Sequence, residues 1–430
     1  MSVPTSATLD HRGRHRVAVT GLGVKTPAGN TLDEFWARLA SGRSAGARLS
    51  RYDASDLMVG IGCEVPEFDV APYVTAKEAR RLDRTSILGW AAACDALDDA
   101  GEIGGDPARC AVVAGAGIGG LITLEEQVGV FLTKGSRGVS PLLVPMMMAN
   151  ATGALVSLRL GWTGPNLTVA TACAASANAI GDAAELIRHG TADVVMALGA
   201  ESCQTPTALS AFARMTALSN RVDDPERASR PFDADRDGFV MGEGAAALVL
   251  ERWDHAIARG ARIHAEFVGY GRNADAYHIT APSPGGEGAA ACIQLALADA
   301  DLDPSAIGHV NAHGTSTPLN DSAEAEAIRK VFGAAPPLVT STKGVTGHMI
   351  GAAGAVEAVA TVLAMQRGEV PPTANLERLG DDIQLDVVAG RPRPLAATAA
   401  ISNSFGFGGH NATLVVAPAN VVGPGTSGAE

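Results

Sequence analysis

Short apolar runs alternate with stretches of helical periodicity along most of the chain. "RVAVTGLGV" (16–24), "ADVVMALGAES" (192–202) and "GAAALVLER" (244–252) are nearly continuous apolar runs bordered by glycine or charged residues. Runs of this length are typical of strands that are buried on both faces. "TLDEFWARLASG" follows the first run with helical spacing, and Thr31 with Glu34 has the pattern of a capping box. The pattern predicts an α/β fold with a largely buried sheet.

The second half of the chain repeats this scheme. Further strand-like runs lie at 263–271, 307–314 and 337–344, and helices are predicted around 287–300 and 321–332. The chain then continues as "TAAISNSFGFGGHNATLVVAP", which we interpret as two strands joined by a glycine-rich turn. No exact sequence repeat accompanies the similarity. The pattern nevertheless predicts two similar α/β halves.

We therefore divide the chain near residue 258. The predicted units are an N-terminal half at 16–258, a C-terminal half at 259–417, and flexible tails at 1–15 and 418–430. "TGLG" and "GAGIGG" follow two of the strand-like runs, but neither has the full dinucleotide fingerprint with an acidic residue about 20 positions later. We interpret these glycines as turn residues.

Composition excludes several classes of protein. The 430 residues carry a net charge of −13, which disfavours a nucleic-acid partner because phosphate binding needs a basic surface. We find no apolar stretch long enough to span a membrane, and the N-terminus lacks the pattern of a secretory signal. The six cysteines form no CxxC pair, which argues against a metal site or a disulfide framework. We predict a reduced, cytoplasmic protein.

Cys173 stands out because it lies where "LTVATA" gives way to "AASANAIGDAAELI", a predicted helix start. The first N–H groups of a helix favour negative charge, so we expect this position to lower the pKa of the thiol and favour the nucleophilic thiolate. A cysteine among alanines is also a common buried apolar residue, and the local pattern leaves both interpretations open. We interpret the other five cysteines as buried apolar residues.

Two histidines of the second half favour the catalytic interpretation. His313 follows an apolar run in "VNAHGTSTPLND", and His348 lies five residues after Lys343 in "STKGVTGHMIGAAGAVEA". Both stand in glycine- and threonine-rich loops at the end of a predicted strand. Loops at strand ends commonly form the rim of an active site in α/β proteins.

Taken together, four motifs resemble the β-ketoacyl-acyl carrier protein synthases, the elongating condensing enzymes. They are "TACAAS", "NAHGTSTPLND", "STKGVTGHMIGAAGAVEA" and "NSFGFGGHNA", and "RPFDADRDGFVMGEGAAALVLE" belongs to the same pattern. The resemblance runs from about residue 16 to residue 417. It implies the thiolase fold, in which two related α/β halves form a layered α-β-α-β-α sandwich, normally as a dimer.

The resemblance also implies roles for the central residues. Cys173 corresponds to the acyl-accepting nucleophile, and His313 and His348 correspond to the pair that drives malonyl decarboxylation. Lys343 corresponds to the lysine that orders this cluster. Independently of the resemblance, Glu324 is a candidate carboxylate partner for Lys343, and a solvated helix face is the alternative for Glu324. The resemblance implies a decarboxylative condensation without a metal or a redox cofactor, with the substrates carried on the phosphopantetheine of acyl carrier protein.

Further residues are assigned to the substrate path on the same basis. The backbone N–H groups of Phe407 and of the nucleophile correspond to an oxyanion hole, and the Phe407 side chain corresponds to a gate. Thr315 and Thr317 correspond to the threonines that hold the phosphopantetheine arm. Thr280 corresponds to a threonine near the malonyl end, and Phe405 to a substrate-binding residue of the same glycine-rich turn.

An acidic enzyme needs a local basic surface to bind an acidic carrier protein. Lys77, Arg80 and Arg81 in "AKEARRLDR" are spaced i, i+3 and i+4, so they share a face if the segment is helical. Their position matches the carrier-docking segment of the family, and Arg137 is expected to extend the surface. The alternative is a solvated helix face, because Glu78 and a nearby aspartate dilute the charge.

Neighbouring classes fit less well. A thiolase uses a second cysteine near the C-terminus, yet no cysteine follows Cys292. Initiating and plant-type condensing enzymes pair cysteine with histidine and asparagine, whereas the third member here is His348. Chain-length factors lack the nucleophile, and the intact Cys173 also argues against a non-catalytic assembly subunit.

The sequence does not decide the pathway. A type II fatty-acid synthase and the ketosynthase of a type II polyketide pathway, as a homodimer or with a chain-length-factor partner, both fit. Leu143 and Ala208 stand where fatty-acid enzymes often carry Phe and Gly, so chain length stays open. Met146–Met148 are expected in the core or a dimer interface, with a modified acyl tunnel as the alternative.

Overall fold

The computed structural model describes residues 8–333 and 336–419. The strands, in chain order, are β1 (Val17–Lys25), β2 (Ala47–Arg48), β3 (Ile61–Gly62), β4 (Cys110–Gly115), β5 (Asn166–Val169), β6 (Val194–Glu201), β7 (Gly244–Arg252), β8 (Ala265–Ala274), β9 (Ile307–Asn311), β10 (Leu338–Thr340), β11 (Glu369–Val370), β12 (Arg393–Pro394), β13 (Ala399–Gly406) and β14 (His410–Ala417). Strands β1, β6 and β7 are buried along nearly their whole length, as their apolar sequences predict.

The helices surround and separate the strands. In chain order they are α1 (Leu32–Ser41), α2 (Ala76–Ala79), α3 (Arg84–Ala100), α4 (Leu121–Lys134), α5 (Leu143–Met147), α6 (Ala151–Leu160), α7 (Ala175–Arg188), α8 (Pro206–Arg214), α9 (Trp253–Ala258), α10 (Glu287–Ala300), α11 (Pro318–Phe332), α12 (Lys343–Thr346) and α13 (Ala353–Arg367). The capping box of Thr31 and Glu34 is present at the start of α1, as the sequence predicts.

Ten strands form one sheet in the order β10-β9-β13-β14-β8-β1-β7-β6-β4-β5. Each half contributes five strands to this sheet, which can be counted in chain order within that half. Outward from the β8–β1 junction, both halves then show the same order: first, fifth, fourth, second and third. Strand directions match as well, since β4 pairs in parallel with β5 and β6, and β9 pairs in parallel with β10 and β13. The predicted similarity of the two halves is therefore confirmed at the level of topology.

The two halves share a central helical layer. Helices α7 and α13 contact each other and strands of both halves, whereas α3 packs on β1, β6 and β7, and α10 packs on β8 and β14. Alanine and glycine dominate both central helices, and α13 is buried along residues 353–364. Small residues allow this close packing of helices between two sheet halves. The resulting order of layers is α-β-α-β-α, as the resemblance implies.

The N-terminal segment differs from the prediction. Residues 8–15 were expected in a flexible tail, but they form a turn closed by a bridge between Leu9 and His15. Arg12 and Arg14 of this turn bind Asp299 at the end of α10. Ion pairing with the core therefore orders this segment. Residues 1–7 and 420–430 of the predicted tails lie outside the described residues.

An apolar surface surrounds strand β5, at one edge of the sheet. Leu167 of β5 is 48% exposed, and Leu158, Val144 and Met148 nearby in sequence are 80%, 60% and 44% exposed. Met146 and Met147 are half-buried, so the methionine run lies at the surface and not in the core. Within the part of the chain that the structure describes, no helix has the length and hydropathy needed to cross a membrane.

Candidate active site

Cys173 lies between the end of β5 and the start of α7. It belongs to a short 3-10 turn, Ala172–Ala174, in which Ala172 has a left-handed φ of 49°. The turn places the thiol at the N-terminal end of a buried helix and against a cavity of about 490 Å³. The predicted position at a helix start is therefore confirmed.

The C-terminal half brings its histidines to the same cavity. His313 follows β9, and His348 follows α12, just before the central helix α13. The His348 Nε2 atom lies 3.0 Å from the Cys173 Sγ atom, and the two imidazole rings lie 5.4 Å apart in an edge-to-face arrangement. His313 and His348 follow the nucleophile by 140 and 175 positions in the sequence, yet both form one cluster with it.

Both histidines are buried and electrically neutral. Burial holds their pKa values well below the usual range, and the Lys343 ammonium acts in the same direction on each. A neutral imidazole has one N–H donor and one acceptor nitrogen. The two rings can therefore present N–H donors to an oxygen in the cavity without placing two positive charges in a dry site.

Lys343 binds Glu357, and the predicted pairing with Glu324 is wrong. Its Nζ atom forms a buried ion pair with Glu357 of α13, donates to the His313 carbonyl at 2.6 Å, and lies 3.3 Å from the His313 Nδ1 atom. Burial raises the pKa of Glu357, and the adjacent ammonium opposes that shift. The lysine thus fixes His313 through both its backbone and its ring.

Glu324 has a different role in the structure. Its carboxylate accepts the backbone N–H groups of His313 at 2.8 Å and Gly314 at 2.7 Å. Burial raises its pKa to about 7, although these hydrogen bonds oppose the shift. Glu324 therefore anchors the loop that carries His313, from the side of α11. The sequence separation of Lys343 and Glu324 could not distinguish this arrangement from an ion pair.

The expected lowering of the Cys173 pKa is also wrong. Burial raises the pKa of the thiol to about 11. The Lys343 charge and the backbone N–H groups of Phe407 and of Cys173 itself act in the opposite direction. Desolvation outweighs the helix start because the thiol is only 7% exposed. The same two N–H groups point towards the sulfur and therefore lie beside the place where a thioester on Cys173 would form.

The glycine-rich turn between β13 and β14 crosses over the nucleophile. Gly406 has no room for a side chain, since an added Cβ would lie 2.8 Å from the Thr171 carbonyl oxygen. Gly408, with a left-handed φ of 83°, donates its N–H to the Ile279 carbonyl. These contacts bring Phe405 and Phe407 to the cavity wall, with the Phe405 ring 6.0 Å from that of His313.

The predicted substrate-binding threonines line the same cavity. Thr315 and Thr317 follow His313, and their hydroxyl oxygens lie 2.9 Å apart. Thr280 reaches the cavity from the loop after β8. Leu143, Ala208 and Met146–Met148 do not line the cavity in the described part of the chain. The predicted modified acyl tunnel at the methionine run thus has no support in the cavity wall.

The predicted basic segment is exposed but only partly helical. Lys77 lies in the four-residue helix α2, Arg80 caps its end, and Arg81 follows in a turn. Glu78 is held by the N-cap Thr75 and by Arg159 of α6, at 2.6 Å from the latter. The nearby aspartate that seemed to dilute the charge, Asp83, is buried as the N-cap of α3.

This arrangement leaves the positive side chains facing solvent. Arg159 adds a basic group that the sequence analysis missed, because the helix that carries it is distant along the chain. Arg137 is exposed in a short 3-10 turn, Ser136–Gly138.

A metal at the centre fits less well than direct hydrogen bonding. Among the described residues, one group of metal-binding side chains comes together, with the ligand atoms of Cys173, His313 and His348 within 4.8 Å of one another. Zinc bonds of ordinary length would hold sulfur and nitrogen roughly 3.5 Å apart in a tetrahedral site. The observed 3.0 Å is shorter and matches a hydrogen bond to sulfur.

Other site residues escaped sequence analysis. Phe239 packs edge-to-face on His348 at 5.3 Å, and Phe212 lies between Phe239 and Phe407. Glu357 is the one carboxylate of α13, in a buried stretch made up mostly of alanine and valine. A charge isolated among buried alanines and valines was the available signal, because such a group needs a partner.

Two family models and several known proteins match this chain. The N-terminal domain of β-ketoacyl synthases matches residues 14–256, and the C-terminal domain matches residues 264–377. The chain is 48% identical to a 3-oxoacyl-[acyl-carrier-protein] synthase 2 of Synechocystis over 407 residues, covering 93% of this chain and 97% of the relative.

Solved structures agree with the sequence matches. The ishigamide ketosynthase/chain length factor superposes with a TM-score of 0.86 at 36% identity, covering 94% of this chain and 99% of the other. A type II polyketide acyl-carrier protein in complex with its ketosynthase bound to the hexaketide gives a TM-score of 0.86 at 31% identity. The match covers 95% of this chain and 100% of the other chain. With the thiol and the two histidines in a shared cavity of the thiolase fold and the lysine bonded to His313 beside it, the chain belongs to the β-ketoacyl synthase family of condensing acyltransferases.

Proposed function

We propose that this protein is an elongating 3-oxoacyl-acyl carrier protein synthase that uses Cys173 as its nucleophile. The observation that carries the proposal is the 3.0 Å contact between Cys173 Sγ and His348 Nε2, beside the backbone N–H groups of Cys173 and Phe407. A nucleophile, an imidazole and two oriented N–H donors are the groups that acyl transfer requires.

The first step loads the acyl chain. The Cys173 thiolate attacks the acyl-carrier thioester, and the tetrahedral oxyanion accepts the N–H groups of Cys173 and Phe407. The new bond joins Cys173 Sγ to the acyl carbon, and the carrier leaves as a thiolate that takes up the proton lost by Cys173. The apolar wall of Phe212, Phe239 and Ile118 accommodates the chain.

The second step forms the carbon–carbon bond. Malonyl carrier protein enters, and loss of CO2 leaves an enolate whose oxygen accepts N–H groups of His313 and His348. Preorganised donors of this kind are worth on the order of 3–4 kcal/mol each in a dry site. The enolate carbon attacks the Cys173 thioester, and collapse of the tetrahedral intermediate releases Cys173 and the 3-oxoacyl carrier. Neither step uses a metal or a redox cofactor.

Fatty-acid elongation is the favoured pathway. The Synechocystis relative named 3-oxoacyl-[acyl-carrier-protein] synthase 2 is 48% identical over nearly its whole length, whereas the ishigamide and hexaketide ketosynthase chains are 36% and 31% identical. The decisive experiment is intact-mass analysis of the protein with a panel of acyl carrier proteins. Loading and condensation of unbranched acyl chains support elongation, and turnover of poly-β-ketone chains alone would favour the polyketide ketosynthase.

The protein works as a dimer through the face around β5. Strand β5 is one of the two terminal strands of the sheet in the described chain. Its exposed edge, bordered by Leu158, Val144 and Met148, is covered when a second copy pairs with it. A homodimer suits the elongating class, and a chain-length-factor-like partner suits the alternative. Light scattering of the purified chain distinguishes them, because a chain that needs another subunit stays monomeric.

The six free cysteines fit a cytoplasmic location.

Acyl carrier protein binds at the basic segment beside α2. Lys77, Arg80 and Arg81 are exposed there, and Arg159 sequesters the neighbouring Glu78. These basic side chains can attract an acidic carrier protein although the enzyme has a net charge of −13. Salt screens the more distant acidic residues, because the Debye length is about 8 Å at physiological ionic strength.

Charge reversal tests this docking surface. Arg80→Glu with Arg81→Glu should raise the KM for acyl carrier protein several-fold and weaken its salt dependence. A small acyl thioester that needs no docking serves as the control and should react at an unchanged rate. Equal losses with both substrates would place the docking surface elsewhere.

A further inference from the structure

Glu201, the last residue of β6, carries a fully buried carboxylate that binds backbone instead of a cation. It accepts the N–H groups of Gly117 at 2.6 Å, Ile118 at 3.2 Å, Gly119 at 3.1 Å and Gly351 at 3.2 Å. Within the described residues no lysine, arginine or histidine pairs with it. Four backbone N–H donors replace the counter-ion that a buried carboxylate would otherwise require.

The donors belong to two segments from different halves of the chain. Gly117 and Ile118 follow β4 and line the cavity, whereas Gly351 lies three residues after His348. An added Cβ on Gly351 would lie 2.1 Å from the Gly117 nitrogen and 2.7 Å from the Glu201 carboxylate. The two segments are in close backbone contact, and the Glu201 carboxylate is hydrogen-bonded to both of them.

The other half of the molecule contains a matching arrangement. Glu324 accepts the N–H groups of His313 and Gly314, which follow β9, the strand that corresponds to β4. In each half a buried carboxylate thus holds the loop after the second strand. In one half that loop carries His313, and in the other it carries Ile118 and no titratable side chain.

A negative charge on Glu201 is consistent with its role of holding the loop after β4. Burial raises the pKa of Glu201 to about 7, and its four backbone hydrogen bonds act in the opposite direction. The ionised carboxylate can accept all four donors, whereas a glutamine has one acceptor oxygen and an NH2 group that would face N–H donors. Glu201 also raises the pKa of Cys173, so its charge does not serve to activate the thiol.

We propose that Glu201 is a positioning residue that fixes the acyl-pocket loop 117–119 against the His348 segment and thereby sets the preference for acyl-chain length. The inference rests on the proposed function, since it presumes that the acyl chain on Cys173 passes Ile118. A long chain contacts this loop, whereas an acetyl group ends near the sulfur. Loss of the anchor should therefore penalise long chains more than short ones.

Glu201→Gln tests the proposal through a chain-length profile. We expect kcat/KM for condensation with long acyl carriers to fall on the order of tenfold to a hundredfold, and with acetyl carrier much less. Glu201→Asp keeps the carboxylate and should recover part of the long-chain activity. It also provides the measurement if the Gln variant does not fold.

Glu243→Gln is the matched control. Glu243 is an equally buried carboxylate, but it binds Arg84, Arg51 and Ser202 and does not line the cavity. Its loss should lower thermal stability while the ratio of long-chain to acetyl activity stays at the wild-type value.

The outcomes separate this inference from the proposed function. An unchanged chain-length ratio in both Glu201 variants, or a uniform loss like that of Glu243→Gln, would overturn the positioning role. Absence of condensation in the wild-type protein would instead refute the function on which the proposal rests.

Discussion

The two halves of the protein share one topology but supply different chemistry. In each half the third strand leads into a turn and then a central helix, β5 into α7 and β10 through α12 into α13. The N-terminal turn carries Cys173, whereas the C-terminal turn carries Lys343 and His348. The same position in a duplicated scaffold thus supplies the nucleophile on one side and the polar cluster on the other.

The two halves give the cavity one apolar side and one polar side. The N-terminal side is mostly apolar around the thiol, which accommodates an acyl chain and raises the pKa of Cys173. The C-terminal side contains the ion pair of Lys343 and Glu357 and two neutral imidazoles. The halves meet along the α7–α13 layer, and the backbone of His348 also hydrogen-bonds to Val240 and Gly242 of the N-terminal half, so both halves fix the cluster.

The largest expected effect divides the reaction between the halves. Cys173→Ala should abolish acyl loading, whereas His348→Ala should still load but lose condensation by two orders of magnitude or more, the scale for one lost oxyanion donor. Intact mass measures loading, and chromatography of the 3-oxoacyl product measures condensation. His348→Ala condensing at the wild-type rate would remove the enolate role from the C-terminal half.

Breaking the buried ion pair should destabilise the C-terminal side strongly. Lys343→Met leaves Glu357 without its cation, and loss of one partner of a buried pair costs about 3–5 kcal/mol in the free energy of unfolding. The double variant Lys343→Met with Glu357→Leu should regain most of that loss. Urea unfolding measures both.

An exposed ion pair is the control for that experiment. Arg367 and Asp33 are 45% and 89% exposed, so Arg367→Ala should change the free energy of unfolding by less than about 1 kcal/mol. Similar losses for Lys343→Met and Arg367→Ala would show that burial does not distinguish the two pairs.

The pH dependence of alkylation tests the thiol on the N-terminal side. Because burial raises the Cys173 pKa to about 11, the thiolate fraction should grow about tenfold per pH unit below that value. The iodoacetamide rate at Cys173 should therefore rise steadily from pH 7 to 9, with Cys173→Ser used to assign the adduct by mass. A plateau below pH 9 would instead indicate a thiol with a lowered pKa.

The smallest expected effect concerns the turn between β13 and β14, which crosses from the C-terminal half over the nucleophile. Phe407 stands between two glycines over the nucleophile, and we expect its ring to move when an acyl chain enters. Phe407→Ala should release CO2 from malonyl carrier protein without a loaded acyl group, measured as uncoupled decarboxylation. Phe405→Ala, in the same turn but beside His313, is the comparison variant and should stay coupled. Tight coupling in Phe407→Ala would argue against a gate.

Sequence alone determined most of the elements and the central residues. The strands β1, β6, β7 and β8 follow from apolar runs, and α10 spans the predicted 287–300, because periodicity is a local property of the chain. The motifs identified Cys173, His313, His348 and Lys343, and the structure brings these four together. These motifs can be identified in the sequence because each supplies its own turn and its own chemical group.

Tertiary structure decided partners and pKa values. Lys343 pairs with Glu357 and not with Glu324, because packing of α13 and α11 against the sheet determines which carboxylate reaches the ammonium. The Cys173 pKa is raised, since desolvation depends on every group that surrounds the thiol and not on the helix start alone. Glu201 likewise joins 117–119 to Gly351 only when the two halves close around it. Local sequence determines which groups are present, whereas burial by distant segments determines what they bind and how they ionise.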